Sequence, residues 1–110
     1  MVIQNNTFLF TTSNLTEYII VKGGTGNTSQ KTSVYLPQPT ADLNGMKITV
    51  RKYQDMGIVT VYVYQTITGN SNISVFIQNN SVTRVSSISL NSSTSTAMFF
   101  IMDGYYYQIL

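Results

Sequence analysis

Short runs of alternating apolar and polar residues recur along the whole chain, each closed by residues that turn a backbone. Val, Ile, Thr, Tyr and Phe dominate these runs, the side chains that fit a half-buried pleated surface, whereas alanine occurs only at 41 and 97. The alternation predicts strands over 7–12, 18–22, 32–36, 46–53, 58–66, 73–78, 82–90, 96–102 and 105–110. The breaks between them have mechanisms. Gly23, Gly24 and Gly26 admit positive φ, Pro37 and Pro39 cannot donate to a ladder, and Asn79-Asn80 tolerates the left-handed region. Many short strands separated by turn chemistry predict an all-β sandwich or barrel.

Asp103-Gly104 is the strongest local signal, a two-residue hairpin turn of type I′. It sets a register in which Met102 faces Tyr105, Phe100 faces Tyr107 and Met98 faces Ile109. The other side of the same ribbon carries Ala97, Phe99, Ile101, Tyr106, Gln108 and Leu110. Both sides are therefore apolar. The run 58–66 behaves alike, Val59, Val61 and Val63 alternating with Ile58, Tyr62 and Tyr64. An antiparallel sheet with one solvated side alternates apolar with polar, so something covers the second face. Few residues remain for a covering loop or extra sheet, which favours a neighbouring copy of the chain.

The hairpin then divides into two sets. Met98, Phe100, Met102, Tyr105, Tyr107 and Ile109 are expected to fill the protomer core. Ala97, Phe99, Ile101, Tyr106, Gln108 and Leu110 are expected to face other subunits, with Ala97 allowing close approach and Gln108 bonding its symmetry mates. Each large apolar side chain left in water forfeits roughly 1.5–3 kcal/mol, a large share of a domain stability of about 5–15 kcal/mol.

Composition narrows the partners. The 110 residues make one domain, and charged residues are 9% of them, against about 25% in an average soluble domain. Ser, Thr, Asn and Gln carry the solubility instead. A net charge of +2 does not advertise a nucleic-acid or membrane partner. No apolar run reaches the ~20 residues of a spanning helix. The start, MVIQNNTFLF, lacks the basic and long apolar regions of a secretory signal. Cysteine and histidine are both absent, which removes disulfides and thiolate or imidazole metal sites.

Several motifs, taken in order, resemble a known group. Glu17-Tyr18-Ile19-Ile20-Val21 leads to Ser33-Val34-Tyr35-Leu36-Pro37, then a loop reaches Asn44-Gly45 before Met46-Lys47-Ile48-Thr49-Val50-Arg51-Lys52. The chain closes on Asp103-Gly104-Tyr105-Tyr106-Tyr107-Gln108-Ile109-Leu110. This order resembles the small β-rich head domains at the C-termini of viral and phage fibre proteins, including collagen-like proteins of giant viruses and their virophages. The terminal strand of that group often carries Trp, where Tyr105 to Tyr107 stand here. The resemblance implies an antiparallel jelly-roll-like β-sandwich assembled as a homotrimer, placed on the virion surface. These residues contain no Gly-X-Y repeat, so on this resemblance a shaft lies upstream of them or does not exist.

Candidate chemistry is sparse. Lys22-Gly23-Gly24-Thr25-Gly26-Asn27 lacks the ending and the following helix of a phosphate loop, so it reads as a connection between strands. A hydrolytic centre would have to be built from Glu17, Asp42, Asp55 and Asp103, each beside turn residues where Asp bonds its own backbone. No catalytic residue, metal ligand or cofactor is assigned. Lys47, Arg51 and Tyr53 share one strand side with Lys52 on the other, a pattern read as solvated charges guarding a strand edge rather than as phosphate contacts. Asn-x-Ser/Thr at Asn5, Asn14, Asn27, Asn72, Asn79 and Asn91 follows from composition. Tyr35, Tyr53, Tyr62 and Tyr64 are the candidate ligand surface, because rigid amphipathic rings are stacking platforms for sugars. The expectation is a non-enzymatic virion attachment module that partners itself as a homotrimer and a host-surface glycan or virion component, without nucleic acid or membrane insertion. The alternative is a free, lectin-like carbohydrate-binding sandwich.

Overall fold

A computed structural model describes residues 2–3, 7–21, 32–52, 57–64, 73–78, 83–91 and 96–109. Two sheets face each other. The larger contains β1 (Val2–Ile3), β3 (Tyr18–Val21), β5 (Lys47–Lys52), β10 (Thr96–Met102), β11 (Tyr105–Gln108), β7 (Phe76–Ile77) and β8 (Arg84–Val85), in that spatial order. The smaller contains β2 (Thr7–Leu9), β4 (Thr32–Leu36), β6 (Val59–Val63) and β9 (Ser87–Leu90). A short 3-10 turn, Ala41–Leu43, precedes β5.

The strands lie where alternation places them. Thr32–Leu36 and Thr96–Met102 match the expected bounds, each alternating buried and half-buried positions residue by residue. The run 82–90 instead divides at Ser86, β8 joining one sheet and β9 the other. Val2–Ile3 was not expected, since two residues are too few to show a period. Asp103 and Gly104 have φ of 53° and 82°, the pair of positive values a type I′ turn requires. The register follows as expected, Met102 opposite Tyr105 and Phe100 opposite Tyr107. The Ile109 N–H donates to the Met98 carbonyl at 2.8 Å and extends the same pairing.

The expected antiparallel order does not hold. Five of the nine described strand pairs are parallel: β1–β3, β3–β5, β2–β4, β4–β6 and β7–β11. From β1 to β6 the chain alternates between the sheets, so each strand lies beside the one two places earlier. The intervening strand carries the chain across the sandwich and back, and it returns running in its original direction. Hairpins would have made these pairs antiparallel. The strong two-residue hairpin signal occurs at Asp103-Gly104, beyond this alternating part of the chain.

Between the sheets lie Ile19, Val21, Ile48 and Val50 from one layer and Val34, Leu36, Val59, Val61 and Val63 from the other, all fully buried. The hairpin presents to this interior the side opposite to that expected. Ala97, Phe99, Ile101 and Tyr106 are 0% exposed and belong to the core, so they are not a subunit interface. Met98, Phe100, Met102, Tyr105 and Tyr107 point outward and are half-buried, and Ile109 is 45% exposed. Gln108 is half-buried, and Leu110 lies outside the described residues.

Distant contacts account for the choice. The Tyr106 hydroxyl donates to the Pro37 carbonyl at 2.6 Å, joining the last strand to the end of β4. Its ring lies 5.4 Å from Phe76 and 6.1 Å from Phe99. At the hairpin tip, Asn44 Oδ1 accepts from the Asp103 N–H at 3.2 Å. The Gly45 N–H donates to the Ile101 carbonyl at 2.8 Å. The loop at Asn44-Gly45 thus holds the turn at Asp103-Gly104.

Candidate functional site

The outer side of the four-stranded sheet gathers three of the four candidate tyrosines. Register aligns Leu9, Tyr35, Tyr62 and Ser87 in one row across β2, β4, β6 and β9. Parallel pairing sets equivalent positions side by side, which is what brings Tyr35 against Tyr62. Their rings stack with centroids 5.2 Å apart and planes inclined by 19°. Tyr64, just beyond β6, meets Tyr35 edge-on at 6.2 Å. Its backbone N–H donates to the Leu36 carbonyl at 3.0 Å, holding the main chain at the end of the sheet. All three tyrosines are half-buried. Tyr53 lies outside the described residues.

Beside Tyr64 opens a cleft of about 260 Å³. Leu9, Phe10 and Pro37 form its apolar wall, while Thr11, Thr12, Gln38 and Thr40 offer hydroxyls and an amide. Leu9 is 44% exposed and forms the open side of this wall. Two short bonds shape the rim. The Thr11 N–H donates to Asn14 Oδ1 at 2.6 Å. The Thr40 hydroxyl donates to Asp42 Oδ1, also at 2.6 Å, and this bond together with the residue's own backbone holds the Asp42 carboxyl below its usual range. Strands β2, β4, β6 and β9 carry no charged residue. The face can therefore stack a ring and exchange neutral hydrogen bonds, and it offers no ion pair.

The remaining candidates are dispersed. Glu17 is exposed at the bend before β3, Asp42 on the 3-10 turn and Asp103 in the hairpin turn, while Asp55 and the segment Lys22 to Asn27 lie outside the described residues. Among the described residues no three of His, Cys, Asp and Glu gather as metal ligands. Lys47 and Arg51 point outward on β5 and Lys52 inward, as their alternation required, but β5 lies between β3 and β10 and Lys52 is only 2% exposed, so the three are not solvated charges guarding a strand edge. Among the described residues no helix is long and apolar enough to cross a membrane.

Sequence reasoning missed the cleft and Leu9's place in it. The cleft joins residues near positions 9–12, 37–40 and 64, and its existence depends on the parallel pairing of β2 with β4. No local signal marks it, since Leu9-Phe10 followed by Thr11-Thr12-Ser13-Asn14 reads only as a strand end and a turn. Comparison with protein-family models, with curated proteins and with solved structures returns no match.

Proposed function

We propose that the chain is a non-enzymatic attachment module, the head of a virion surface fibre, that holds a neutral glycan on the tyrosine face of its four-stranded sheet. The stacked cluster of Tyr35, Tyr62 and Tyr64 beside a cleft lined by uncharged side chains carries this reading. Tyrosine rings offer an apolar body for the C–H face of a sugar and a hydroxyl for its polar edge. The proposal keeps the two-sheet sandwich and the homotrimer implied by the fibre-head resemblance and sets aside the jelly-roll order. Low charge suits a surface partly consumed by assembly. Copies would meet through surfaces other than the buried side of the hairpin. A free, lectin-like sandwich shares the same face, and detection of the protein in purified virions separates the two.

The test is a glycan array followed by titration calorimetry on the best ligand. Tyr62→Ala should weaken binding by roughly 2- to 13-fold, the worth of one aromatic contact beyond its area. Binding should change little between low and moderate salt, because no ion pair is screened. Unchanged affinity in Tyr35→Ala and Tyr62→Ala, both folded, would refute the tyrosine face.

A further inference from the structure

The seven-stranded sheet has an outer face of different character. Register sets Lys47, Phe100, Tyr107, Ile77 and Arg84 in one row across β5, β10, β11, β7 and β8. The row ends in a cation on each side, four strand spacings or roughly 19 Å apart. Arg51 lies four residues along β5 from Lys47, roughly 13 Å further down the same side. Met102 and Tyr105 form the next row. The Arg84 guanidinium lies 4.7 Å from the Tyr105 ring centroid, so this cation rests on the aromatic surface.

Charge is segregated between the sheets. The four described Lys and Arg residues all stand on strands of the larger sheet, Lys47, Arg51 and Arg84 facing out, and its strands carry no carboxylate. The chain's net charge of +2 averages this arrangement away.

We propose that this face binds single-stranded nucleic acid, with phosphates at Lys47, Arg51 and Arg84 and unpaired bases laid on Phe100 and Tyr107. Single strands are held where cations track the backbone and aromatic rings receive the bases. Other occupants fit less well. A second copy would bring Lys47, Arg51 and Arg84 against their own like charges over strands that carry no carboxylate, the nearest acids, Glu17 and Asp103, standing in the connections. A membrane needs apolar tips that protrude, whereas Phe100, Tyr105, Tyr107, Met98 and Met102 lie half-buried against the sheet. A sulfated polysaccharide supplies anions but no planar partner for the rings. This inference concerns the opposite side of the sandwich and does not depend on the glycan reading.

The test is fluorescence anisotropy with a labelled pyrimidine oligonucleotide of about 12 nucleotides, within the site sizes such surfaces span. Phe100→Ala or Tyr107→Ala should each lower affinity by roughly 5- to 150-fold. Three phosphate contacts give a slope of log affinity against log salt of about −2, which the triple change Lys47→Gln, Arg51→Gln and Arg84→Gln should bring near zero. Phe100→Leu and Tyr107→Leu keep apolar packing without the ring, and circular dichroism confirms their fold. Oligonucleotide binding by these folded leucine variants equal to that of the parent overturns the proposal. So does absence of binding by the folded parent at low salt. Equal or tighter binding to duplex DNA, heparin or anionic phosphatidylserine vesicles overturns it as well.

Discussion

Replacing Tyr106 by Phe removes one oxygen from the centre of the molecule. The ring is fully buried against Phe76 and Phe99, and its hydroxyl bonds the buried Pro37 carbonyl at 2.6 Å. Phenylalanine keeps the ring contacts and leaves that carbonyl without its donor. An orphaned buried acceptor costs about 1–3 kcal/mol, a substantial part of a stability of about 5–15 kcal/mol. Each kcal/mol should lower Tm by roughly 4–8 °C in a domain near this size. The alkaline limb gives a second readout. Burial pushes the Tyr106 phenol well above its ordinary value, so the folded state keeps the proton that an unfolded tyrosine releases near pH ~10. With the folded value raised, this stabilisation is complete below the unfolded value and is lost as pH rises through the folded one. Urea unfolding, followed by circular dichroism at neutral pH and at about pH 11, should show the parent losing more stability than Tyr106→Phe. Equal urea midpoints at neutral pH would refute the buried tie between β11 and Pro37. Equal losses at alkaline pH would refute the burial of the phenol.

Three further outcomes are expected. Thr32 is 1% exposed and its hydroxyl has no partner among the described residues, so Thr32→Val should stabilise by about 1–2 kcal/mol in urea unfolding. Gly104 has φ of 82° and open space where a Cβ would stand, so Gly104→Ala should destabilise by about 1–2 kcal/mol through backbone conformation alone, measured as a lower Tm. Thr40→Val removes the hydrogen bond that favours the Asp42 carboxylate, and NMR titration should find the Asp42 pKa higher than in the parent.

Local chemistry explains how much of this fold is legible in the sequence. A strand's alternation and a turn's demand for positive φ act between neighbours, so Thr32–Leu36, Thr96–Met102 and the register across Asp103-Gly104 can be read directly. The outward tyrosines of β4 and β6 follow from the same alternation. That they stack is a tertiary fact, because it needs the parallel pairing of Tyr35 with Tyr62, and residues 36 and 59 are joined only through a strand of the opposite sheet.

The sequence by itself determined that both sides of the last hairpin are apolar, and which residues share each side. Only the tertiary structure decided which side faces in. Tyr105, Tyr106 and Tyr107 are chemically identical, yet only Tyr106 is fully buried. The difference comes from a carbonyl 69 residues away in sequence and from Phe76 on a strand paired with β11. Charge follows the same rule. The count of six basic and four acidic residues is written in the chain, but the gathering of Lys47, Arg51 and Arg84 on the outer face of one sheet depends on strand order. Alternation constrains parity along a strand, while packing partners supplied by the rest of the chain choose between the two parities.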